Sequence, residues 1–442
     1  MDRAILSRTL KQEALFLSEY IDNGYSAETV KKQKQQLYSI SKEGGKMLES
    51  MALMILAALA ASLVMNKLNL PGLLGMMITG VILGPCCLNL IDAQILDLSG
   101  FLRKIALLII LIRAGLNLKT ADLKRAGRPA VLLSFVPATF EILAFALLGP
   151  LILDLSVMDS VLLGTVMAAV SPAVVVPGML KVMKAGYGND KAIPQMILAG
   201  ASADDVYVLV LFSVFSALAQ AGEFHPELLL RIPTAIVLGI LAGIGAGWLC
   251  AWLFRKLDLQ LPIACKVLVL MALGMLMYGI EDHMSGMIGF SGLIATMASA
   301  MTLKARLPQT AGEMAVGFDH LWKAGELFLF TLIGAAIQID AALGSFGSVV
   351  LILVLALLIR CIGVWLCTVK TRLNLNERIF VVMAELPKAT VQAAIGAVPL
   401  SMGLACGQTI LCAAVWAIVI TAPLGAVLIH VFYPRLLAKD AA

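Results

Sequence analysis

Apolar runs bounded by charged residues or Gly/Pro turns repeat along residues 51–433 of the chain. A bilayer core about 30 Å thick is spanned by roughly 20 helical residues, so the pattern predicts about thirteen membrane helices. They fall near 51–66, 70–86, 101–118, 129–153, 159–183, 192–219, 231–254, 262–280, 285–303, 318–338, 345–367, 376–403 and 408–433. Residues 1–49 break the pattern, with eight Lys/Arg, seven Asp/Glu and no continuous apolar stretch. They predict a polar, partly helical tail at the membrane surface and no cleavable signal peptide. Residues 50–433 then form one transmembrane domain and 434–442 a short tail.

Composition sharpens this to a class. Of 442 residues, 60% are hydrophobic and 14% charged, and the mean hydropathy of +0.95 lies outside the range of soluble domains. The expected fold is an all-α polytopic membrane protein. Lysine and arginine sort by loop parity: the odd connections with the C-terminal tail hold 19, and the even ones hold 3 (Arg103, Lys104 and Arg231). By the positive-inside rule the odd connections and the C-terminus face the cytoplasm. Thirteen spans would place the N-terminus outside, in tension with the eight cations of its tail. The near-neutral tail argues against nucleic acid as a partner. The eight cysteines show no metal-ligand spacing and the four histidines are scattered, so no resident metal or cofactor is expected.

Polar or broken segments recur at an offset of seven runs. The fourth run carries Glu141 and the eleventh Arg360; the fifth is interrupted by Ser171-Pro-Ala-Val-Val-Val-Pro177 and the twelfth by Glu385-Leu-Pro-Lys-Ala-Thr390. An odd offset reverses orientation, so runs 1–6 and 8–13 would form an inverted repeat with the seventh as linker. Proline removes a backbone donor, which is tolerated at membrane depth only where protein or water satisfies the freed groups. Pro172 and Pro177 alone would mark a kink. Together with Pro387 they predict two crossed broken helices, whose half-helix ends supply partial charges of both signs.

The sixth run carries Asp204 and Asp205 side by side. One aspartate near the centre of a membrane helix costs about 2.5 to 3.5 kcal/mol, so two in a row point to function, with protons and cations as the natural ligands. Lys388 and Arg360 are the cations placed at mid-membrane. Arg360, which does not readily release a proton, suits a structural ion pair with Glu141, whereas Lys388 can titrate and is the candidate coupling cation, tied to Asp204. Glu385 would pair locally with Lys388, and Arg113 would snorkel to the cytoplasmic surface.

These residues carry a family resemblance. Ala168-Ala-Val-Ser-Pro-Ala-Val-Val-Val-Pro177, Gly186-Tyr-Gly188, Ile193-Pro-Gln-Met-Ile-Leu-Ala-Gly-Ala-Ser-Ala-Asp-Asp205 and Leu386-Pro-Lys-Ala-Thr-Val-Gln-Ala-Ala-Ile-Gly396 come in the order of the NHA-type sodium/proton antiporters, with Ile110-Leu-Ile-Arg-Ala-Gly-Leu116 in addition. The chain resembles that family over about residues 51–433. The resemblance implies exchange of Na⁺ or Li⁺ for H⁺ by alternating access in a multi-pass cell membrane, read here as prokaryotic. It implies an ion and proton site at Asp204, Asp205 and Ser171, with the transported Na⁺ or Li⁺ held by the two aspartates and Asp205 the main carboxylate. A homodimer follows too, with scaffold helices at about 51–86 and 231–303 and core helices at about 101–219 and 318–433. Two departures stand out: Arg360 occupies a position where many electrogenic relatives have lysine, and Glu385 one where animal members have an aromatic residue.

Other classes fit less well. A channel would need a filter of backbone carbonyls or charged rings, and no such string occurs. An intramembrane aspartyl protease needs its aspartates on separate helices, so no enzyme is expected. A sodium-coupled organic-anion symporter or a K⁺/H⁺ antiporter on a similar scaffold is the alternative.

Overall fold

The computed structural model describes residues 27–68, 70–117, 120–220, 226–256, 261–284 and 290–440. The first 26 residues of the expected tail lie outside these. Among the described residues there is no strand, only an isolated bridge between Tyr187 and Lys439. Helix α1 (Ala27–Lys67) joins the polar residues from Ala27 onward to the first apolar run without interruption, so no break separates tail from span at residue 50. There follow α2 (Gly72–Leu83), α3 (Ala93–Asn117), α4 (Thr120–Leu133), α5 (Val136–Ile152), α6 (Val157–Ala168), α7 (Pro172–Lys184) and α8 (Ile193–Gln220). The second half holds α9 (Pro226–Lys256), α10 (Ile263–Met284), α11 (Gly292–Arg306), α12 (Pro308–Ala336), the short α13 (Ile339–Gly344), α14 (Phe346–Thr368), α15 (Leu375–Ala384), α16 (Thr390–Ile395), α17 (Val398–Ser401) and α18 (Gly407–Leu436).

Eight described stretches are long and apolar enough to cross a membrane, and Gly72–Leu83 and Thr390–Ser401 are shorter apolar helices. Helices α3, α11 and α12 are shorter or more charged. Helix α12 starts at Pro308 rather than near residue 318, because Pro at the first helical position launches the helix.

The packing carries the repeat. Helix α2 packs on α12, and α11 packs on α3; exchanging the two halves turns the first contact into the second. Helices α5 and α14, which an offset of seven makes equivalent, pack on each other. Where α2 crosses α12 the backbones nearly touch: a Cβ on Gly80 would run into the Thr331 carbonyl and one on Gly334 into that of Met77.

Parity of the connections is also visible. Lys191 Nζ reaches both oxygens of Glu377 at 2.8 Å, and Arg128 Nη1 bonds the Val369 carbonyl at 3.3 Å. Asp440 accepts from Asn189 N at 2.8 Å. The third, fifth and eleventh connections and the chain end thus share one face. On the other face Ser50 Oγ donates to the Leu90 carbonyl at 2.9 Å, and Cys86 Sγ contacts that of Ile337 at 3.1 Å.

The two helix breaks have the same cause. Pro172 opens α7 and forces Ser171 into an extended conformation, φ −84°, ψ 111°. Pro387 likewise forbids helix at Leu386, and α15 ends at Ala384. Pro177, by contrast, sits inside α7, which runs on through it, so it is not a break. The Pro387 ring is seated on α18 at Gly425, where any Cβ would collide with the ring carbons. Gly425→Ala should displace the twelfth-run break and cost roughly 1 to 3 kcal/mol by overpacking, read as lowered thermal stability in detergent.

Candidate ion-binding site

The breaks meet at one point. The backbone N–H of Ser171 donates to the Pro387 carbonyl at 2.8 Å, and that of Thr390 to Ser171 Oγ at 3.4 Å. Lys388 N–H donates to Thr421 Oγ1 on α18 at 2.8 Å. The freed carbonyls at the end of α6 are also taken up: Gln392 Nε2 donates to Ala169 O at 2.9 Å and to Met167 O at 3.2 Å. Gln392 and Thr421 were not among the expected site residues, although each is a polar residue in an apolar run and so carried a signal.

Arg360, fully buried on α14, organises the cluster. Its Nη1 donates to Glu141 Oε2 at 2.8 Å and to the Ala168 carbonyl, while Nε donates to the Glu385 carbonyl at 2.9 Å. One guanidinium therefore caps the C-terminal ends of both interrupted half-helices, where the backbone presents partial negative charge. Its Nη2 lies 3.4 Å from Glu385 Oε2 and 3.5 Å from Asp204 Oδ2, shared between two carboxylates.

Lys388 is placed differently from the sequence expectation. Its Nζ lies 2.6 Å from Glu141 Oε2 and 3.3 Å from the Ala168 carbonyl, so it is tied to Glu141 and not to Asp204. It also precedes α16, which starts at Thr390, and therefore lies in the extended break. Glu385 pairs with Arg360 rather than with Lys388 three residues on. The reason is geometric: the chain between them is not helical, so the spacing that brings such pairs together is lost. Arg113 does not simply snorkel, since its Nε bonds Asp319 Oδ1 on α12.

The two aspartates on α8 are both buried but unequally held. Asp204 Oδ2 accepts the Val170 N–H at 2.9 Å, the first amide beyond the Ala169 cap of α6. Asp205 is 6% exposed, and its Oδ1 has no hydrogen-bond partner among the described residues. A buried carboxylate oxygen left open beside a second, better-held carboxylate is what a partly dehydrated monovalent cation or a proton would fill. No group of three or more His, Cys, Asp or Glu suited to a bound metal occurs among the described residues.

The chain matches the transmembrane sodium/hydrogen exchanger family over residues 53–432. It belongs to that family. Sodium/hydrogen exchanger 9B2 of Homo sapiens is 34% identical over 382 residues, covering 84% of this chain and 70% of that one. The 9B2 protein of Xenopus tropicalis is 32% identical over 414 residues, 90% of this chain and 76% of its own. Exchanger 9B1 of Homo sapiens is 30% identical, covering 77% and 67%. Among solved structures, the sodium proton antiporter MjNhaP1 of Methanocaldococcus jannaschii at pH 8 superposes with a TM-score of 0.72 at 20% identity. That match covers 88% of this chain and 99% of the archaeal one. The resemblance to NHA-type antiporters stands, and this exchanger is a multi-pass membrane protein with the antiporter fold.

Proposed function

We propose that this exchanger swaps Na⁺ or Li⁺ for H⁺ by alternating access, with Asp205 as the carboxylate that the two ions occupy in turn and Asp204 as its partner. The observation that carries this reading is the open oxygen of buried Asp205 beside Asp204, next to two half-helix ends. Ser171 lies at the crossing and orients the break, and the Arg360–Glu141–Lys388 network holds the half-helices together. Lys388 serves as the titratable counter-ion of Glu141.

Two bodies would move against each other. Helices α1, α2, α9, α10 and α11 make the scaffold, and α3 to α8 with α12 to α18 make the ion-binding core. Supporting this, the spans at Gly45–Lys67 and Ile263–Glu281 are only 17% and 22% buried, leaving apolar faces for lipid or a second copy in a homodimer. The C-terminus would face the cytoplasm of a prokaryotic plasma membrane, on the face that gathers the lysine-rich odd connections.

A proton and a cation competing for one carboxylate make a quantitative expectation. Apparent cation affinity should weaken about tenfold for each pH unit below the site's titration. Dissipation of a pH gradient in proteoliposomes, with Na⁺, Li⁺ and K⁺ in turn, measures it. A pH-independent affinity, or sodium-driven uptake of an organic anion in place of proton movement, would overturn the proposal.

A further inference from the structure

The Gly186-Tyr-Gly188 string lies in the turn of residues 185–192, which joins α7 to the ion-site helix α8. Both glycines take left-handed backbone, φ 72° and 70°, where a side chain would be strained. The turn so formed is paired with the segment that follows α18. Gly188 N–H donates to the Ala438 carbonyl at 2.9 Å and Asp440 N–H to the Gly186 carbonyl at 2.8 Å, on either side of the bridge between Tyr187 and Lys439. The Asp440 carboxylate closes the contact. Its Oδ1 accepts the backbone N–H groups of Asn189 at 2.8 Å and Asp190 at 3.3 Å, and its Oδ2 accepts Asn189 Nδ2 at 2.6 Å. Successive backbone N–H groups aimed at one carboxylate make a concave seat for it, with charge-assisted bonds.

Asn189 is the node of this contact. Its Nδ2 also donates to the Met183 carbonyl in the last turn of α7 at 3.1 Å, and its Oδ1 accepts Gln195 Nε2 in the first turn of α8 at 3.2 Å. Asp440 thereby fixes where α7 ends relative to where α8 begins. Helix α7 needs such an anchor, because the break at Ser171 cuts it from α6. It packs on α8 and α18, but toward α1 and α2 it faces a cavity of about 480 Å³, with its Ala173, Pro177 and Lys181 opposite Asn66 and Leu73. At its other end stand Ser171, bonded to the Pro387 carbonyl, and Val170, whose N–H holds Asp204. A hydrogen-bonded helix of 13 residues moves as one rod, so slack in the turn reaches the amide that holds Asp204.

We propose that Asp440 is a positioning residue of the exchanger: residues 438–440 clasp the turn between α7 and α8 and so keep the ion site in its cation-binding arrangement. With the clasp open, α7 samples other positions and only a fraction of molecules presents a competent site. Apparent cation affinity then falls in proportion to that fraction. Maximal rate does not, because a bound cation selects the competent arrangement before transit.

This inference rests on Asp204 and Asp205 being the ion site, and the test keeps the two apart. Half-saturating Na⁺ and maximal rate of the full chain are measured by pH-gradient dissipation in proteoliposomes, together with amide hydrogen exchange of residues 186–190. Asp440→Ala should speed exchange of those amides and raise half-saturating Na⁺ about fivefold or more, the usual scale of coupling between separate sites. Maximal rate should stay within about twofold of wild type. Asp440→Asn keeps the oxygen that accepts Asn189 N–H but sets an amide against Asn189 Nδ2. It should give a smaller rise in the same direction, and it carries the test if Asp440→Ala does not fold. Faster exchange with wild-type half-saturation would leave the clasp merely structural, and unchanged exchange would mean that Asp440 does not hold the turn; either result overturns the proposal. A lower maximal rate at unchanged half-saturation overturns it too. Asp205→Asn is the separate arm: inactivity agrees with the ion-site assignment, whereas an active Asp205→Asn overturns that assignment whatever the Asp440 variants show.

Discussion

Asp205→Asn should abolish cation-driven proton movement while leaving a folded exchanger that can be extracted in the same assembly as wild type. The carboxylate has no hydrogen bond at Oδ1 to forfeit among the described residues, and burying it is costly, so removing its charge asks nothing of the fold. Asparagine keeps the size and one oxygen but neither titrates nor balances a cation. PH-gradient dissipation in proteoliposomes should fall to the level of empty vesicles with Na⁺ and with Li⁺, and the melting temperature should be unchanged or raised. Wild-type exchange by this variant would remove Asp205 from the mechanism.

The largest loss of stability should come from Arg360→Ala. That single side chain serves Glu141, the carbonyls of Ala168 and Glu385, and the shared position between Asp204 and Glu385. Its removal strands buried acids and uncaps two half-helices, at a cost of roughly 3 to 5 kcal/mol. Glu141→Ala should cost a similar amount by stranding Arg360 and Lys388 together. The double variant should lose less than the sum, because each single change leaves behind a partner that the second removes, a coupling of about 0.5 to 3 kcal/mol. Thermal melts of the four proteins in one detergent give the cycle. Strict additivity would mean that the 2.8 Å contact contributes nothing. Arg360→Lys should rescue little, since an ammonium cannot reach in three directions as the guanidinium fork does.

Much of this was legible along the chain. Hydrophobic runs of bilayer length require helices, since backbone polar groups in lipid must be satisfied within the segment. The prolines at 172 and 387 fix the two breaks locally by excluding helix at the residue before them. The repeat could be read because polar interruptions in an apolar chain are costly enough to stand out. Pro177 was misread because a proline can also be carried inside a helix when its surroundings supply the missing contacts.

The Glu141–Arg360 pair was expected from the chain and is present, but the other ion-pair partners were decided only in three dimensions. Sequence spacing predicts contacts along a continuous helix, and at residues 385–389 the helix is absent, so Glu385 turned to Arg360 and Lys388 to Glu141 across the bundle. Similarly, Arg113 found Asp319 on a helix more than 200 positions away. Residue types and their depth in the membrane thus determined that buried acids and bases must meet. Which of them met was settled by the crossing of the broken helices, because in a low-dielectric interior a charge takes whichever opposite charge the packing brings within reach.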